Sequence, residues 1–146
     1  MPDNYIDLAK QPELARQRMN DARDRIEGAL GQAMEKALSI IEADAKRECT
    51  VDTGRLRASI THETKKNGSE LRGRIGTNVE YAPYYHEGTG IYATNGQGRK
   101  TPWLYKDRKG IGHFTRGMKP RPFLRNAVDK NKGKIGEIFQ GVLRQL

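Results

Sequence analysis

The chain has 146 residues, 35% of them hydrophobic and 31% charged, with a net charge of +9 and one cysteine, Cys49. That length suits a single domain with a thin core and excludes a second independently stable one. A lone cysteine excludes an intrachain disulfide, and no apolar run is long enough to span a bilayer. With no charged-then-apolar leader, the sequence predicts a soluble protein made in the cytoplasm. Cys49 reads as a small buried residue at a helix end. The charge is uneven: residues 99–146 hold 13 Lys and Arg against 3 Asp and Glu, whereas residues 1–98 hold 14 against 15. The whole excess lies in the last third, which points to a polyanionic or acidic partner for that part.

Residues 1–10 carry little pattern and are expected as a flexible arm ahead of a single α+β domain over 11–146. Pro12 suits a first helical turn, where its missing N–H costs nothing, and Glu13 favours the positive end of the helix dipole. Ala15, Met19, Ala22, Ile26, Ala29, Ala33, Ala37 and Ile40 then recur in steps of three and four, and the stripe closes on Asp44. This spacing predicts a helix from about Pro12 to Glu48, roughly 55 Å long at ~1.5 Å per residue. Such a rod exceeds the core of one small domain. Gly28 and Gly31 each cost about 1 kcal/mol against Ala in a helix interior. The helix therefore extends past its own domain or breaks near Gly31.

Asp52 or Thr53 can cap a short helical turn over residues 54–58. Strands follow at Ser59–Thr64 and Glu70–Asn78, joined through Asn67-Gly68, a strong hairpin signal. Ile60, His62 and Thr64 alternate with Thr61 and Glu63, and Leu71, Gly73 and Ile75 with Arg72 and Arg74, which gives the pair one apolar face. Pro83 and Gly88 bracket one or two helical turns over Tyr81–Glu87. Residues 91–118 mix Gly96, Gly98, Gly110, Gly112 and Gly117 with Tyr92, Trp103, Tyr105 and Phe114. That composition predicts an extended mobile loop or hairpin. A last helix begins near Pro122, with Phe123/Leu124, Ala127/Val128, Ile135, Ile138/Phe139, Val142/Leu143 and Leu146 on one face. The fold class is α+β: a long first helix and a last helix packed on a small antiparallel sheet, with a glycine-rich aromatic loop between.

Chemistry-bearing residues are sparse. His62, His86, His113 and Cys49 show no metal-ligand spacing, and His86-Glu87 lacks the second His of a zinc-protease helix because position 90 is Gly90. Gly88-Thr89-Gly90 and Gly96-Gln97-Gly98 lack the Lys-Ser/Thr ending of a phosphate loop, so no cofactor is expected. A small basic ribonuclease could use His86, Glu87 or His113 as acid and base, yet nothing in the spacing brings them together, and no catalytic residue is assigned. The region with the clearest bias is Arg99, Lys100, Trp103, Tyr105, Lys106, Arg108, Lys109, Phe114 and Arg116. Cations interleaved with rings suit phosphates and stacked bases, or docking on an acidic protein neighbour.

Three segments carry a resemblance: Val51-Asp52-Thr53-Gly54-Arg55-Leu56-Arg57-Ala58-Ser59-Ile60, then Tyr81-Ala82-Pro83-Tyr84-Tyr85-His86-Glu87-Gly88-Thr89-Gly90, then Lys119-Pro120-Arg121-Pro122-Phe123-Leu124-Arg125-Asn126-Ala127. In this order, after a long amphipathic helix, the chain resembles the small neck or tail-completion proteins of long-tailed siphophages, the HK-type and lambdoid head–tail connector group. The resemblance implies a virion subunit without catalytic residues that forms a ring at the head–tail junction. Its partners would be other copies of itself, other neck and tail proteins and, nonspecifically, the passing genome, with no membrane contact. The insertion between the second and third segments is longer than a minimal relative needs and reads as a docking arm. The alternative is a sequence-nonspecific nucleic-acid-binding protein that uses the basic C-terminal third.

Overall fold

A computed structural model describes residues 11–49 and 54–146; the expected arm over 1–10 and the cap at Asp52 or Thr53 lie outside the described residues. Helix α1 (Gln11–Glu48) is continuous through Gly28 and Gly31. A Cβ added at either glycine would meet nothing within 4 Å. These glycines therefore do not break the rod, and no part of the described chain packs against them; of the alternatives posed by the sequence, extension past the core is the one realised. From Gln11 to Ile26 every residue but Ala22 is exposed, Met19 by 72%. Burial starts at Ala33 and continues through Ala37, Leu38, Ile41, Asp44 and Ala45.

Gly54, with φ of +76°, leads into the short helix α2 (Arg55–Ser59). Strands β1 (Thr61–Asn67) and β2 (Glu70–Gly76) pair antiparallel, with His62 opposite Ile75 and Thr64 opposite Gly73. The face expected to be apolar does lie on α1, but only its β2 half is apolar. Gly73 sits so close to the helix that an added Cβ would come within 2.6 Å of Met34 Sδ and 2.9 Å of Leu38 Cδ1. The β1 half is polar and answers acids on α1. His62 Nε2 lies 2.9 Å from Glu35 Oε1, its Nδ1 contacts Glu42, and the Thr64 hydroxyl donates to Glu35 Oε2 at 2.8 Å. Lys66 pairs with Glu27 further up the rod.

This contact makes stability depend on pH. Hydrogen bonding to Glu42, and then to Glu35, raises the His62 pKa above its ordinary value, against the opposing effect of burial. Glu42, held first by Lys46 and then by His62, and Glu35, held first by His62 and then by Thr64, are both pushed down. A raised imidazole pKa stabilises fully below the ordinary value and is lost as pH rises through the raised one. The lowered carboxylates stabilise above their ordinary value and lose that contribution as pH falls through the lowered ones. The contact is therefore strongest between about pH 4.5 and 6.5. Thermal melting of the native chain should fall from about pH 6 to about pH 8, and His62→Gln should flatten that slope. A native profile already flat over the range would contradict the coupling.

Beyond the hairpin come α3 (Ala82–Glu87) and a 3-10 turn at Gly90–Tyr92. A second antiparallel pair, β3 (Trp103–Lys106) with β4 (Gly112–Thr115), precedes helix α4 (Phe123–Leu143). The segment expected over 91–118 thus contains a hairpin, and the described residues form two separate two-stranded sheets. The core gathers at the far end of α1, where Ile41, Ala45 and Cys49 meet Leu56, Ile60, Val79, Ala82, Phe123 and Ala127. Cys49 is buried as expected, and burial pushes its thiol pKa up. Phe123, 2% exposed, makes T-shaped contacts with the rings of Tyr85 and His86 at centroid distances of 5.8 and 5.7 Å. Burial of this ring stabilises by about 1.5–3 kcal/mol and fixes α3 against the start of α4. Deeper along the helix pair, Asn131 Nδ2 donates to the buried carboxylate of Asp44 at 2.6 Å, and Asp44 also pairs with Arg47.

Candidate functional site

Two backbone crossings hold the β3–β4 hairpin at its base. The Thr89 N–H donates to the Met118 carbonyl at 2.9 Å, and the Ile91 N–H donates to that of Arg116 at 3.0 Å. The Thr89 hydroxyl in turn accepts the Met118 N–H at 2.9 Å. Gly90 and Gly117 lie at this crossing with φ of +62° and +128°. A Cβ on Gly90 would overlap the Arg116 carbonyl, and one on Gly117 the Thr89 carbonyl. Gly98 is likewise pressed against Gly90 and Ala93. Three of the glycines in this region therefore exist because backbones touch there.

The turn of the hairpin is tied by one side chain. The Asp107 carboxylate accepts the N–H groups of Lys109 and Ile111, both at 2.9 Å, and lies 3.0 Å from His113 Nε2. The His113 hydrogen bond, followed by the Ile111 and Lys109 amides, holds the Asp107 pKa below its ordinary value. Strand alternation then divides the side chains. Trp103, Tyr105, His113 and Thr115 share one face, with Tyr105 stacked on His113 at 5.5 Å. Leu104 and Phe114 form a cross-strand pair on the other, 55% and 81% exposed. Arg99 stands over the Trp103 ring, its Cζ 5.7 Å from the centroid.

The nine residues singled out from the sequence are consequently not one patch. Arg99 and Lys100 precede β3, and Trp103 and Tyr105 occupy one face. Lys106 and Phe114 lie on the other face, Arg108 and Lys109 in the turn, and Arg116 at the latch. The residues weighed for acid–base chemistry are engaged separately. His86 Nδ1 lies 2.8 Å from Glu87, which also pairs with Thr94 and Arg125, whereas His113 serves the hairpin turn. The Thr94 hydroxyl, and then His86, lower the Glu87 pKa. Among the described residues no group of three or more His, Cys, Asp or Glu is placed to hold a metal ion, and no helix is long and apolar enough to cross a membrane.

One site has no counterpart in the sequence reading. A cleft of about 610 Å³ is lined by Arg55, Leu56 and Arg57 of α2, Tyr81, Tyr84 and Tyr85 around α3, Arg108 from the hairpin turn, and Met118 and Arg121 ahead of α4. Its floor is apolar, with Leu56 buried and Tyr85 and Met118 half-buried, and its arginines are exposed. Arg121 stacks over the Tyr85 ring at 5.7 Å. All three segments that carried the family resemblance meet here, joined by the insertion between them. The only signal in the chain is that each segment pairs Arg or Tyr with a turn residue, a signal that has no meaning until the segments are brought together.

A family model described as "Bacteriophage HK97-gp10, putative tail-component" matches residues 14–88. That stretch runs from the exposed part of α1 through both early helices and the first hairpin to the end of α3. No curated protein and no solved structure matches the chain.

Proposed function

The chain belongs to the HK97-gp10-like family of bacteriophage tail components, and from that premise we propose that it is a neck or tail-completion subunit that works at the head–tail junction. In this reading it acts through contact geometry, with no substrate turned over, and copies of it form a ring in the virion. The observation that carries the reading is where its uncovered apolar groups sit. Met19 on the overhanging part of α1, Leu104 and Phe114 on the hairpin, Tyr84 on α3 and Leu143 near the end of α4 are all more than half exposed, the first three on elements that stand away from the core. A thin core with apolar side chains at its extremities is the pattern of a part completed by neighbours.

The latched hairpin is the docking arm of this proposal, its basic and aromatic residues meeting an acidic protein neighbour or the passing DNA. Reconstituted joining of purified heads and tails tests it. Leu104→Ser with Phe114→Ser removes two exposed apolar groups without touching the latch. Joining should drop roughly a hundredfold, as when a pair of interface anchors is lost. A variant lacking residues 91–118 that joined heads to tails normally would overturn the arm's role. Nonspecific nucleic-acid binding, the alternative reading, calls for a stripe of cations that a phosphate backbone can track. The cations here lie ahead of β3, on one hairpin face, in the turn and at the latch, which favours docking. A mobility shift at two salt concentrations separates the readings, since only the alternative predicts tight, steeply salt-dependent binding by the isolated chain.

A further inference from the structure

Apolar and charged residues are sorted around the overhanging part of α1. Ala15, Met19, Ala22 and Ile26 fall on one face in steps of four and three, with Met19 72% and Ile26 41% exposed. Arg16 and Arg23 border this stripe on one side and Arg18 and Arg25 on the other, each pair two turns apart. Glu13, Asp21 and Asp24 fall on the far face. Arg23 pairs with Glu27 at 2.9 Å, a carboxylate that Lys66 also engages, and Arg25 donates to the Asp21 carbonyl at 3.4 Å. Arg16 and Arg18, one on each border, make no ion pair or side-chain hydrogen bond among the described residues.

Two observations say what covers this face. The stripe continues down the rod through Ala33 and Ala37 to Asp44, which meets Asn131 of α4. A face that holds a helix in the body therefore runs on, exposed, into the overhang, and its alanines leave room for another helix to come close. The borders then select which helix. A second copy fits poorly: laid parallel, the overhangs would set Arg18 of one copy toward Arg23 of the other. Laid antiparallel, they would set Arg16 toward Arg23 and Arg18 toward Arg25. A nucleic-acid backbone would pair with the arginines but leave Met19 and Ile26 without apolar contact.

We propose that the overhang of α1 seats a helix of a different protein, one with Asp or Glu along both edges of its apolar stripe and large aliphatic side chains opposite Ala15 and Ala22. The inference rests on the reading of the chain as a part completed by neighbours, and it assigns one neighbour to a protein other than itself. The hairpin is a separate contact.

The test uses two fluorescein-labelled peptides of three heptads with Leu at a and d, one with Glu at every e and g position and the other with Lys. Each is titrated into the full chain by anisotropy. The native chain should bind the Glu peptide at least about tenfold more tightly than the Lys peptide. Arg16→Glu, Arg18→Glu, Arg23→Glu and Arg25→Glu, combined, should reverse that preference, and Met19→Asp should weaken the Glu peptide at least about tenfold. All five positions are exposed and clear of the core, and melting curves report that the fold is kept. Equal binding of the two peptides to the native chain, or a preference unchanged by the four reversals, overturns the proposal. Displacement of the Glu peptide by a DNA duplex that fails to bind the four-arginine variant also overturns it, by giving the face to nucleic acid. In assembled particles, p-benzoylphenylalanine in place of Met19 should crosslink to a different virion protein, at a helix edged with acids. A crosslink to a second copy of this chain, or none at all, overturns the proposal. If the peptides fail while head–tail joining still needs the hairpin, only this inference falls. If the Glu peptide binds as expected but joining proceeds without the protein, the place at the junction falls and this contact stands.

Discussion

Asn131→Ala should destabilise the fold by about 2–4 kcal/mol, read as a drop in melting temperature of roughly 5–15 °C. Asp44 and Asn131 are 1% and 0% exposed and face each other across α1 and α4. A carboxylate only accepts, so the Asn131 amide must present its NH2 group, which also donates to the Ala127 carbonyl at 2.8 Å. Truncation leaves one Asp44 oxygen without that donor in a space that water does not freely enter. Arg47 still pairs with the other oxygen, which keeps the loss below that of a wholly unpaired buried charge. The decisive comparison is a double-mutant cycle. Asp44→Leu with Asn131→Leu removes both polar partners and should be far less destabilised than the two single changes added together. Strict additivity would mean that the pair is not coupled.

Gly90→Ala is expected to act locally, through the hairpin. The added Cβ would overlap the Arg116 carbonyl, which is backbone and already accepts the Ile91 N–H. Neither strand can yield by a side-chain rotation, so the latch has to open. Opening it gives up three hydrogen bonds at about 0.5–1.5 kcal/mol each, which caps the cost at about 2–4 kcal/mol. That ceiling is lower than any price of forcing the atoms together, so the core should survive. The open population should rise roughly 30-fold or more, and tryptic cleavage after Arg99, Lys100, Lys106, Arg108 and Lys109 should accelerate in proportion. Gly96→Ala is the control. Gly96 also has a positive φ, +71°, but an added Cβ there meets nothing, so only about 1–2 kcal/mol of backbone strain is incurred and the latch stays shut. Equal cleavage rates in the two variants would show that steric overlap at the crossing does not hold the hairpin.

Elements with a strong period were legible in the sequence. The first helix was expected from about Pro12 to Glu48 and spans Gln11–Glu48, because a stripe in steps of three and four specifies its own length. The Asn67-Gly68 turn and the alternation of His62, Thr64, Leu71, Gly73 and Ile75 placed the first hairpin and its inward face. What that face would meet was hidden. Periodicity marks a side as facing in, but it does not say that a histidine there finds Glu35 and Glu42 on another element. Asn131 was missed for a related reason: it continues the four-residue spacing of Phe123 and Ala127 to Ile135, but a polar type removes it from an apolar stripe until Asp44 is known to lie opposite. The glycines of the insertion suggested freedom of movement, whereas Gly90, Gly98 and Gly117 mark contact, a distinction that depends on what lies across from them. The Arg–Tyr cleft was the least legible feature, since it joins residues from four stretches that only the fold brings together.

The overhang of α1 has a thermodynamic consequence. Sixteen residues of unsupported helix are marginal in water, and Gly28 and Gly31 weaken the rod where it leaves the body. Its turns are propagated from the supported part of the helix and are close to balanced in free energy, so if a neighbour covers the overhang, as the ring reading expects, docking and local winding are coupled. A surface that offered only part of the contact would gain less from that coupling, and the rod would discriminate against it before any lasting assembly formed.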